Sequence, residues 1–246
     1  MGRVIAVANQ KGGVGKTTTT INLGACLAAA ERRVLVVDAD PQGNLTSGLG
    51  LKTREPRASL YEVLIDGLPL EQTVLETDLP FLKLAPSDRN LTGAEVELVP
   101  QARREYRLRE ALAVVRDCYD YVLIDCPPSL GLLTVNGLVA ADRLLVPLQC
   151  EYFALEGISE LMATLQRVQR GLNPTLGIEG VLLTMVDDRT NLAQQVMSEI
   201  RNHFKDKVFR TAIPRSIRLG EAPSFGKPIL LYDIRSKGSE AYLELA

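Results

Sequence analysis

The sequence predicts an α/β protein with a mostly parallel, twisted sheet and helices on both faces. Runs of consecutive Val, Ile and Leu alternate along the chain with longer segments of helical character. Strands that are apolar on both sides are typical of parallel sheets, because helices cover both faces of such a sheet. The 246 residues contain no internal repeat, low-complexity tract or linker, so we expect a single domain over residues 1–246.

In the first half of the chain, an apolar run at 3–8 predicts a strand, and the Thr- and Ala-rich segment 17–30 predicts a helix. A second strand at 34–38 ends before the turn signal Pro-Gln-Gly-Asn at 41–44. Further along, the pattern predicts short helices at 60–65 and 91–98, a strand near 81–85, and a helix at 106–117.

In the second half, the apolar segment 121–125 predicts a strand that stops before Pro127 and Pro128. The alternation continues with strands at 144–148 and 178–185 and with amphipathic helices at 155–171 and 192–204. The chain closes with a weak strand at 229–232 and a helix beginning near Ser236.

Composition excludes several functional classes. Hydrophobic residues make up 46% of the chain and charged residues 24%, which is typical of a globular protein. No apolar run approaches the roughly 20 residues that span a bilayer, and the first strand leaves no room for a signal peptide. The four cysteines are widely spaced without a C-x-x-C pair, which argues against a disulfide framework or a zinc finger. We therefore expect a cytoplasmic protein.

A glycine-rich loop, Lys-Gly-Gly-Val-Gly-Lys-Thr at 11–17, lies between the first predicted strand and helix. Glycines let backbone N–H groups turn inward, and the helix N-terminus adds positive potential, so this loop predicts a phosphate cradle. Lys16 can reach the β- and γ-phosphates, and Thr17 can bind Mg²⁺. The nucleotide contacts expected from the loop are Lys11, Gly12, Gly13, Val14, Gly15, Lys16, Thr17 and Thr18.

The loop departs from the usual pattern G-x-x-x-x-G-K-[ST], because Gln10 stands where the first glycine belongs. A second lysine, Lys11, opens the loop instead. Lys11 precedes the turning glycines, so its side chain has no evident path back to phosphates bound by its own loop. A second subunit docked face to face would offer one, and the lysine would then stabilise charge on the transferring phosphoryl group.

Three aspartates follow predicted parallel strands and therefore face the same crevice as the loop. Asp40 can orient or deprotonate the water that attacks the γ-phosphate, although an aspartate before a proline can also only cap a turn. Asp38 can support Mg²⁺ or its water ligands. Asp125 ends a buried strand in the Walker B arrangement and can hold hydrated Mg²⁺ beside Thr17.

Together these segments resemble the ParA/MinD family of P-loop ATPases, and 187–192 and 213–228 resemble its chromosomal ParA/Soj branch. The resemblance spans essentially the whole chain and implies a P-loop NTPase fold, an ATP-sandwich homodimer and slow, Mg²⁺-dependent hydrolysis that requires Asp40. It also implies that Lys11 reaches the partner's phosphates and that the adenine is contacted around Met185 and Pro214.

The net charge of −2 conceals a basic segment. Residues 201–227 carry a local charge of +5, whereas the rest of the chain carries −7. Such a segment can be a solvated face or a binding surface for double-stranded DNA. The resemblance implies non-specific DNA binding, a ParB-type partner and a nucleoid-associated location. The candidate DNA contacts in the subregion about 189–227 are Arg189, Lys205, Lys207, Arg215, Arg218 and Lys227.

Two alternatives use the same ATPase core differently. A MinD-like, membrane-associated regulator of the division site would need a basic amphipathic helix at the C-terminus, but residues 236–246 contain one lysine and two glutamates. An electron-transfer ATPase like the nitrogenase iron protein would need two cysteines per subunit at the dimer axis, and Cys126 and Cys150 do not match that pattern. The sequence favours partition of a chromosome or a plasmid, without distinguishing the two.

Overall fold

A seven-stranded sheet forms the centre of the computed structural model, which describes residues 2–51, 58–151, 154–187 and 191–246. The strands lie in the order β3-β4-β2-β5-β1-β6-β7, and only β3 runs antiparallel to its neighbour. Their bounds are β1 Arg3–Val7, β2 Val34–Asp38, β3 Leu75–Glu76, β4 Leu82–Ala85, β5 Tyr121–Asp125, β6 Arg143–Gln149 and β7 Gly177–Thr184. The predicted fold class is confirmed.

Helices connect the strands and cover the sheet. Their bounds are α1 Lys16–Ala29, α2 Asn44–Gly48, α3 Leu60–Ile65, α4 Leu91–Glu97, α5 Arg107–Val115, α6 Leu132–Ala140, α7 Ala154–Gly171, α8 Asn191–Phe204, α9 Ile217–Glu221, α10 Ile229–Tyr232 and α11 Lys237–Leu245. The sequence patterns did not predict α2, α6, α9 or the two-residue strand β3.

Two hydrophobic cores, one on each face of the sheet, hold the layers together. Alternate strand residues point to opposite faces, so Val4 belongs to one core and Ile5 to the other. Helices α3–α8 contribute to the core that contains Val4, whereas α1, α2 and α9–α11 contribute to the core that contains Ile5. The C-terminal helices therefore pack on the same face as the helix that follows the glycine-rich loop.

Two strand boundaries differ from the prediction because a residue adopts a left-handed backbone. Phe81 has φ +66°, so β4 begins at Leu82. Met185 has φ +50°, so β7 ends at Thr184. A left-handed residue cannot continue a pleated strand, and this turns the chain out of the sheet at both positions.

The predicted strand at 229–232 is wrong, because these residues form the single-turn helix α10. Pro228 precedes the helix, and its carbonyl accepts hydrogen bonds from the N–H groups of Leu231 and Tyr232. The Ile229 N–H donates to the side-chain oxygen of Asn22 in α1, at 2.7 Å. The apolar run therefore packs against α1 instead of joining the sheet.

Residues 208–214 run along the outer edge of β7. The N–H groups of Phe209 and Ile213 donate to the carbonyls of Val181 and Leu183, at 3.0 and 2.8 Å. A further bridge pairs Val186 with Pro214. This segment brings Pro214 to the carboxyl end of β7, beside Met185.

The described part of the chain has no helix with the length and apolarity needed to cross a membrane.

Candidate nucleotide-binding site

A cavity of about 450 Å³ opens at the carboxyl ends of the central strands. Val7, Asp38 and Asp125 lie at the same level of neighbouring strands β1, β2 and β5, so the segments that follow them converge. The residues that line the cavity are Gly12, Gly13, Gly15, Lys16, Thr17, Thr18, Asp40, Gln42, Asn44, Pro128, Thr184, Met185, Ile213, Pro214, Ser216, Leu219, Gly220 and Tyr242. Most of the predicted nucleotide contacts are among them.

The glycine-rich loop needs glycine at two positions. Gly13 and Gly15 have φ +75° and +85°, a backbone that other residues adopt only with strain. Gly15 is also the N-cap of α1, so the helix N-terminus begins at the cavity. Gln10 has no left-handed backbone, which explains why this position tolerates a side chain in place of the usual glycine.

The side chain of Lys16 lies inside the site. The residue is 7% exposed, and its Nζ donates to the carbonyl oxygen of Lys11 at 3.2 Å. Burial lowers the pKa of this ammonium group, and the nearby carboxylate of Asp125 opposes that shift. A buried cation on the cavity wall is suited to binding a phosphate group.

Asp125 is fully buried beside α1. Its carboxylate accepts hydrogen bonds from the hydroxyls of Thr17 and Thr20, at 2.7 and 3.3 Å. Burial, reinforced by the charge of Asp38, raises the pKa of Asp125 to about 8. A cation placed beside this carboxylate would oppose both causes and lower the pKa of Asp125 again.

The oxygens of Thr17 and Asp125 fit Mg²⁺, which prefers hard oxygen ligands and usually keeps several waters. Among the described residues, no group of three or more His, Cys, Asp or Glu forms a metal site. That finding is compatible with Mg²⁺, because nucleotide-bound Mg²⁺ takes one or two protein oxygens and completes its shell with phosphate and water. When bound, the ion would neutralise charge on the phosphates.

Asp38 holds the start of α2 in place. Its Oδ2 accepts hydrogen bonds from the Thr46 N–H and hydroxyl, at 2.8 and 2.6 Å, and its Oδ1 accepts one from the Asp40 N–H at 3.3 Å. Burial raises the pKa of Asp38 to about 7. Asp38 does not line the cavity, so in this structure its visible action is to position the segment that carries Asp40.

Asp40 lines the cavity and is 7% exposed. Its Oδ1 accepts a hydrogen bond from the Gln42 N–H at 2.9 Å, and its carbonyl accepts one from the Ser87 hydroxyl at 2.8 Å. These contacts fix a carboxylate on the cavity wall.

Part of the cavity lining is more apolar. Met185 and Pro214 meet there because Val186 and Pro214 are bridged, and Ile213 and Leu219 complete the wall. The hydroxyl of Tyr242, from α11, lies 3.1 Å from that of Thr19 and closes the floor. A planar apolar group such as a base would fit this part.

Lys11 does not line this cavity. Its Nζ makes an ion pair with Glu151 at 2.6 Å, outside the carboxyl end of β6. Its backbone N–H donates to the side-chain oxygen of Asn9 at 3.0 Å. The two lysines of the loop therefore have different surroundings, one buried in the cavity and one at the surface.

The predicted DNA contacts among the described residues lie at separate places on the surface. Arg215 and Arg218 are exposed beside the cavity, and Arg218 pairs with Glu221 at 3.1 Å and with Asp233 at 3.6 Å. Lys205 and Lys207 are exposed before Val208, which is level with the middle of β7.

Val208 is level with Val181 in the middle of β7, whereas Pro214 is level with Val186, beyond the carboxyl end of that strand. Lys205 and Lys207 are thus separated from Arg215 and Arg218. Lys227 is exposed after the left-handed Gly226, and Arg189 lies outside the described residues.

Sequence reasoning missed several residues of the site. Glu151 follows β6 and Thr184 ends β7. The three aspartates were predicted from the same location at the carboxyl ends of parallel strands, so these two residues could have been found in the same way. The hydroxyl of Thr184 donates to the Val14 carbonyl at 2.8 Å and so fixes the glycine-rich loop. Thr46 and Tyr242 gave no local signal, because each reaches the site through tertiary packing.

The family model described as AAA domain matches residues 2–178. The chromosome partitioning protein ParA of Myxococcus xanthus is 58% identical over 245 residues, covering 100% of this chain and 87% of the relative. The sporulation initiation inhibitor protein Soj of Bacillus subtilis is 56% identical over 246 residues, covering 100% and 97%. The chain belongs to the ParA/Soj family of chromosome-partitioning ATPases.

Solved structures agree with the ParA/Soj assignment at the level of the fold. A structure named as cobyrinic acid a,c-diamide synthase from Mycobacterium smegmatis, with bound ADP and magnesium, is 42% identical with a TM-score of 0.87 over 99% of this chain and 92% of the other. The septum site-determining protein MinD from Pyrococcus horikoshii, complexed with Mg-ADP, is 26% identical with a TM-score of 0.80 over 100% and 94%.

Proposed function

We propose that this ParA/Soj-family protein is an ATP-dependent dimerisation switch for chromosome or plasmid partitioning. One subunit binds ATP and Mg²⁺, pairs with a second copy through the nucleotide faces, and binds double-stranded DNA non-specifically in that state. A ParB-type partner protein accelerates the slow hydrolysis that separates the pair. In the cell, this places the protein in the cytoplasm on the nucleoid.

The observation that carries the proposal is the contrast between the two loop lysines. Lys16 is buried on the cavity wall, whereas the Lys11 ammonium group lies outside it, on Glu151. The Lys11 backbone carbonyl accepts the hydrogen bond from Lys16, while its side chain reaches Glu151 after β6. A cation in this position can serve phosphates bound by a second subunit, as an arginine finger does in trans.

Within one subunit, the described residues have separable tasks. The loop N–H groups and Lys16 bind the β- and γ-phosphates, and Thr17 with Asp125 would hold Mg²⁺. Asp40, on the wall of the same cavity, orients or deprotonates the attacking water. Met185 and Pro214 contact the base. Hydrolysis removes the γ-phosphate that Lys11 of the second copy would bind, and this weakens the pair.

DNA binding follows from pairing because the number of phosphate contacts doubles. In one subunit, Lys205 and Lys207 are separated from Arg215 and Arg218, and Arg218 is partly neutralised by Glu221 and Asp233. A single copy therefore makes a weak site. Affinity for DNA rises steeply with the number of neutralised phosphates and falls with salt. Two copies joined at the nucleotide face double the number of exposed basic residues that can contact one duplex.

Two structural observations disfavour the alternative functions. The apolar face of α11, which includes Ala241 and Tyr242, packs into the core on α1, and exposed Glu240 and Glu244 would repel anionic lipid. Cys126 is buried against α6, where a Cβ on Gly137 would lie 2.7 Å from its sulfur. That thiol is not available to bridge a cluster between subunits.

The test measures mass and DNA retention together, with ATP, with ADP and without nucleotide, across a salt series. We expect a dimer and DNA binding with ATP alone, and binding that weakens steeply as salt rises. Lys205→Ala combined with Lys207→Ala should reduce DNA retention and leave the ATP-dependent dimer intact, because both side chains are exposed near the middle of β7, away from the cavity at its carboxyl end.

The matched control is Lys16→Ala, which removes the buried cation and should abolish every effect of ATP while the protein stays folded. DNA binding that ignores nucleotide in the unaltered protein would contradict the proposal. Vesicle binding with ATP in place of DNA binding would instead support the MinD-like function.

A further inference from the structure

Lys11 is held at both ends by the segment around the end of β6. Its ammonium group pairs with Glu151 at 2.6 Å, and the other carboxylate oxygen of Glu151 accepts a hydrogen bond from the side chain of Gln149. On the backbone side, the Lys11 N–H donates to Asn9 at 3.0 Å, and the Asn9 side chain donates to the Pro147 carbonyl at 2.7 Å. The cation thus has a defined resting place on its own subunit.

This resting place excludes the role that the proposed function gives to Lys11. An ammonium group that pairs with Glu151 of its own chain must leave that carboxylate before it can reach phosphates in a second copy. A contact made in only one of two states shifts the equilibrium between them by its own free energy. The ion pair therefore favours the unpaired subunit.

We propose that Glu151 is a positioning residue that retains Lys11 in the unpaired subunit and so sets the protein and ATP concentrations at which two copies pair. This inference rests on the proposed function, because it needs Lys11 to act across the interface. Glu151 would act on the equilibrium through Lys11, without touching nucleotide.

The expected size of the effect follows from exposure and stoichiometry. The side chains of Lys11 and Glu151 are 39% and 47% exposed. An ion pair at such a surface shifts an equilibrium by a factor of about 1.5 to 5. Each dimer requires two such pairs to open, so removing them should lower the dimer dissociation constant by about twofold to 25-fold.

The experiment compares Glu151→Gln with the unaltered chain at saturating ATP and low salt. It measures the average molecular mass in solution, and so the fraction of dimer, as a function of protein concentration. We expect the variant to form dimers at lower protein concentration, with the midpoint of its ATPase activity shifted in the same direction. Turnover at saturating protein should change less than the midpoint, because Glu151 acts before pairing. Raising salt should narrow the difference, because salt screens an exposed pair.

The chain offers a matched control in the ion pair between Lys83 and Glu76. It has the same length of 2.6 Å and is also exposed, but lies at the distant β3–β4 edge. Glu76→Gln should leave pairing unchanged. Glu151→Asp should restore part of the retention.

The outcomes separate this inference from the proposed function. If the unaltered chain does not pair with ATP, the proposed function fails. If it pairs, but Glu151→Gln pairs equally or less readily, the retention by Glu151 is wrong and the proposed function stands. Equal thermal unfolding of Glu151→Gln and the unaltered chain would show that any shift in pairing is not a folding defect.

Discussion

Asp125 and Asp38 place two carboxyl groups in the dry interior at the same level of neighbouring strands. Burial raises the pKa of Asp125 to about 8 and that of Asp38 to about 7, above the value of 3.8 for the free side chain. In the absence of Mg²⁺ and nucleotide, the folded protein therefore binds more protons than the unfolded chain between about pH 4 and pH 8. The contribution of these two carboxyl groups to the free energy of unfolding is therefore greatest below about pH 4. It is lost as the pH rises towards 8.

Asp125→Asn should flatten this dependence, because the amide cannot ionise. We expect the free energy of unfolding of the variant to fall less steeply between pH 5 and 8 than that of the unaltered chain. The difference in slope is at most about 1.4 kcal/mol per pH unit for one proton. Urea unfolding of nucleotide-free protein at several pH values measures it. Asp78→Asn, at an exposed position, is the control, and identical slopes for Asp125→Asn and the unaltered chain would count against the raised pKa.

The turn after α9 packs on the loop after α2 through two glycines. Gly50 and Gly226 have φ +77° and +66°, and a Cβ on Gly226 would lie 2.5 Å from the Gly50 Cα. This backbone contact joins the segment that carries Asp40 to the segment that carries Arg218.

Gly226→Ala should destabilise the fold more than Gly67→Ala does. Gly67 has φ +72° with open space around it, so its replacement should cost only the left-handed strain of about 1–2 kcal/mol. At Gly226 the same strain is joined by overpacking against Gly50, which typically costs about 1–3 kcal/mol more. Chemical denaturation of both variants provides the comparison, and equal losses would mean that the glycine contact is loose.

Strands that end at a polar residue were the most predictable elements. The bounds predicted for 34–38 and 121–125 match β2 and β5, because an apolar run and a terminal aspartate define both ends locally. The segment 229–232 misled because four consecutive apolar residues have no periodicity that separates a strand from a helical turn. Its structure depends on Asn22, more than two hundred positions away along the chain.

The site was predictable where it follows the topology of the sheet. Glycines, lysines and aspartates after parallel strands predicted a shared crevice at the carboxyl ends of the strands, and the structure brings Lys16, Thr17, Asp40 and Asp125 together there. Two features could not be read locally. The pairing of Lys11 with Glu151 and the closure of the floor by Tyr242 join residues far apart in the chain.

Asp40→Ala should trap the molecule as an ATP-bound pair if Asp40 acts on the attacking water. The mutation removes a carboxylate from the cavity wall and leaves the loop, Lys16 and Lys11 in place. We expect loss of phosphate release together with a dimer that persists during chromatography in ATP. Asp78→Ala is a suitable control because that side chain is exposed and distant. A variant that neither hydrolyses ATP nor pairs would contradict this role.

The two outer edges of the sheet determine how pairs of this protein can associate further. Residues 208–214 hydrogen-bond along β7, and the other edge ends in the two-residue antiparallel strand β3. In the part of the chain that the structure describes, neither edge presents a long row of unpaired backbone amides and carbonyls to which another chain could add a β-strand. Any further assembly of paired subunits would therefore rest on contacts between side chains, without a sheet that continues from one subunit into the next.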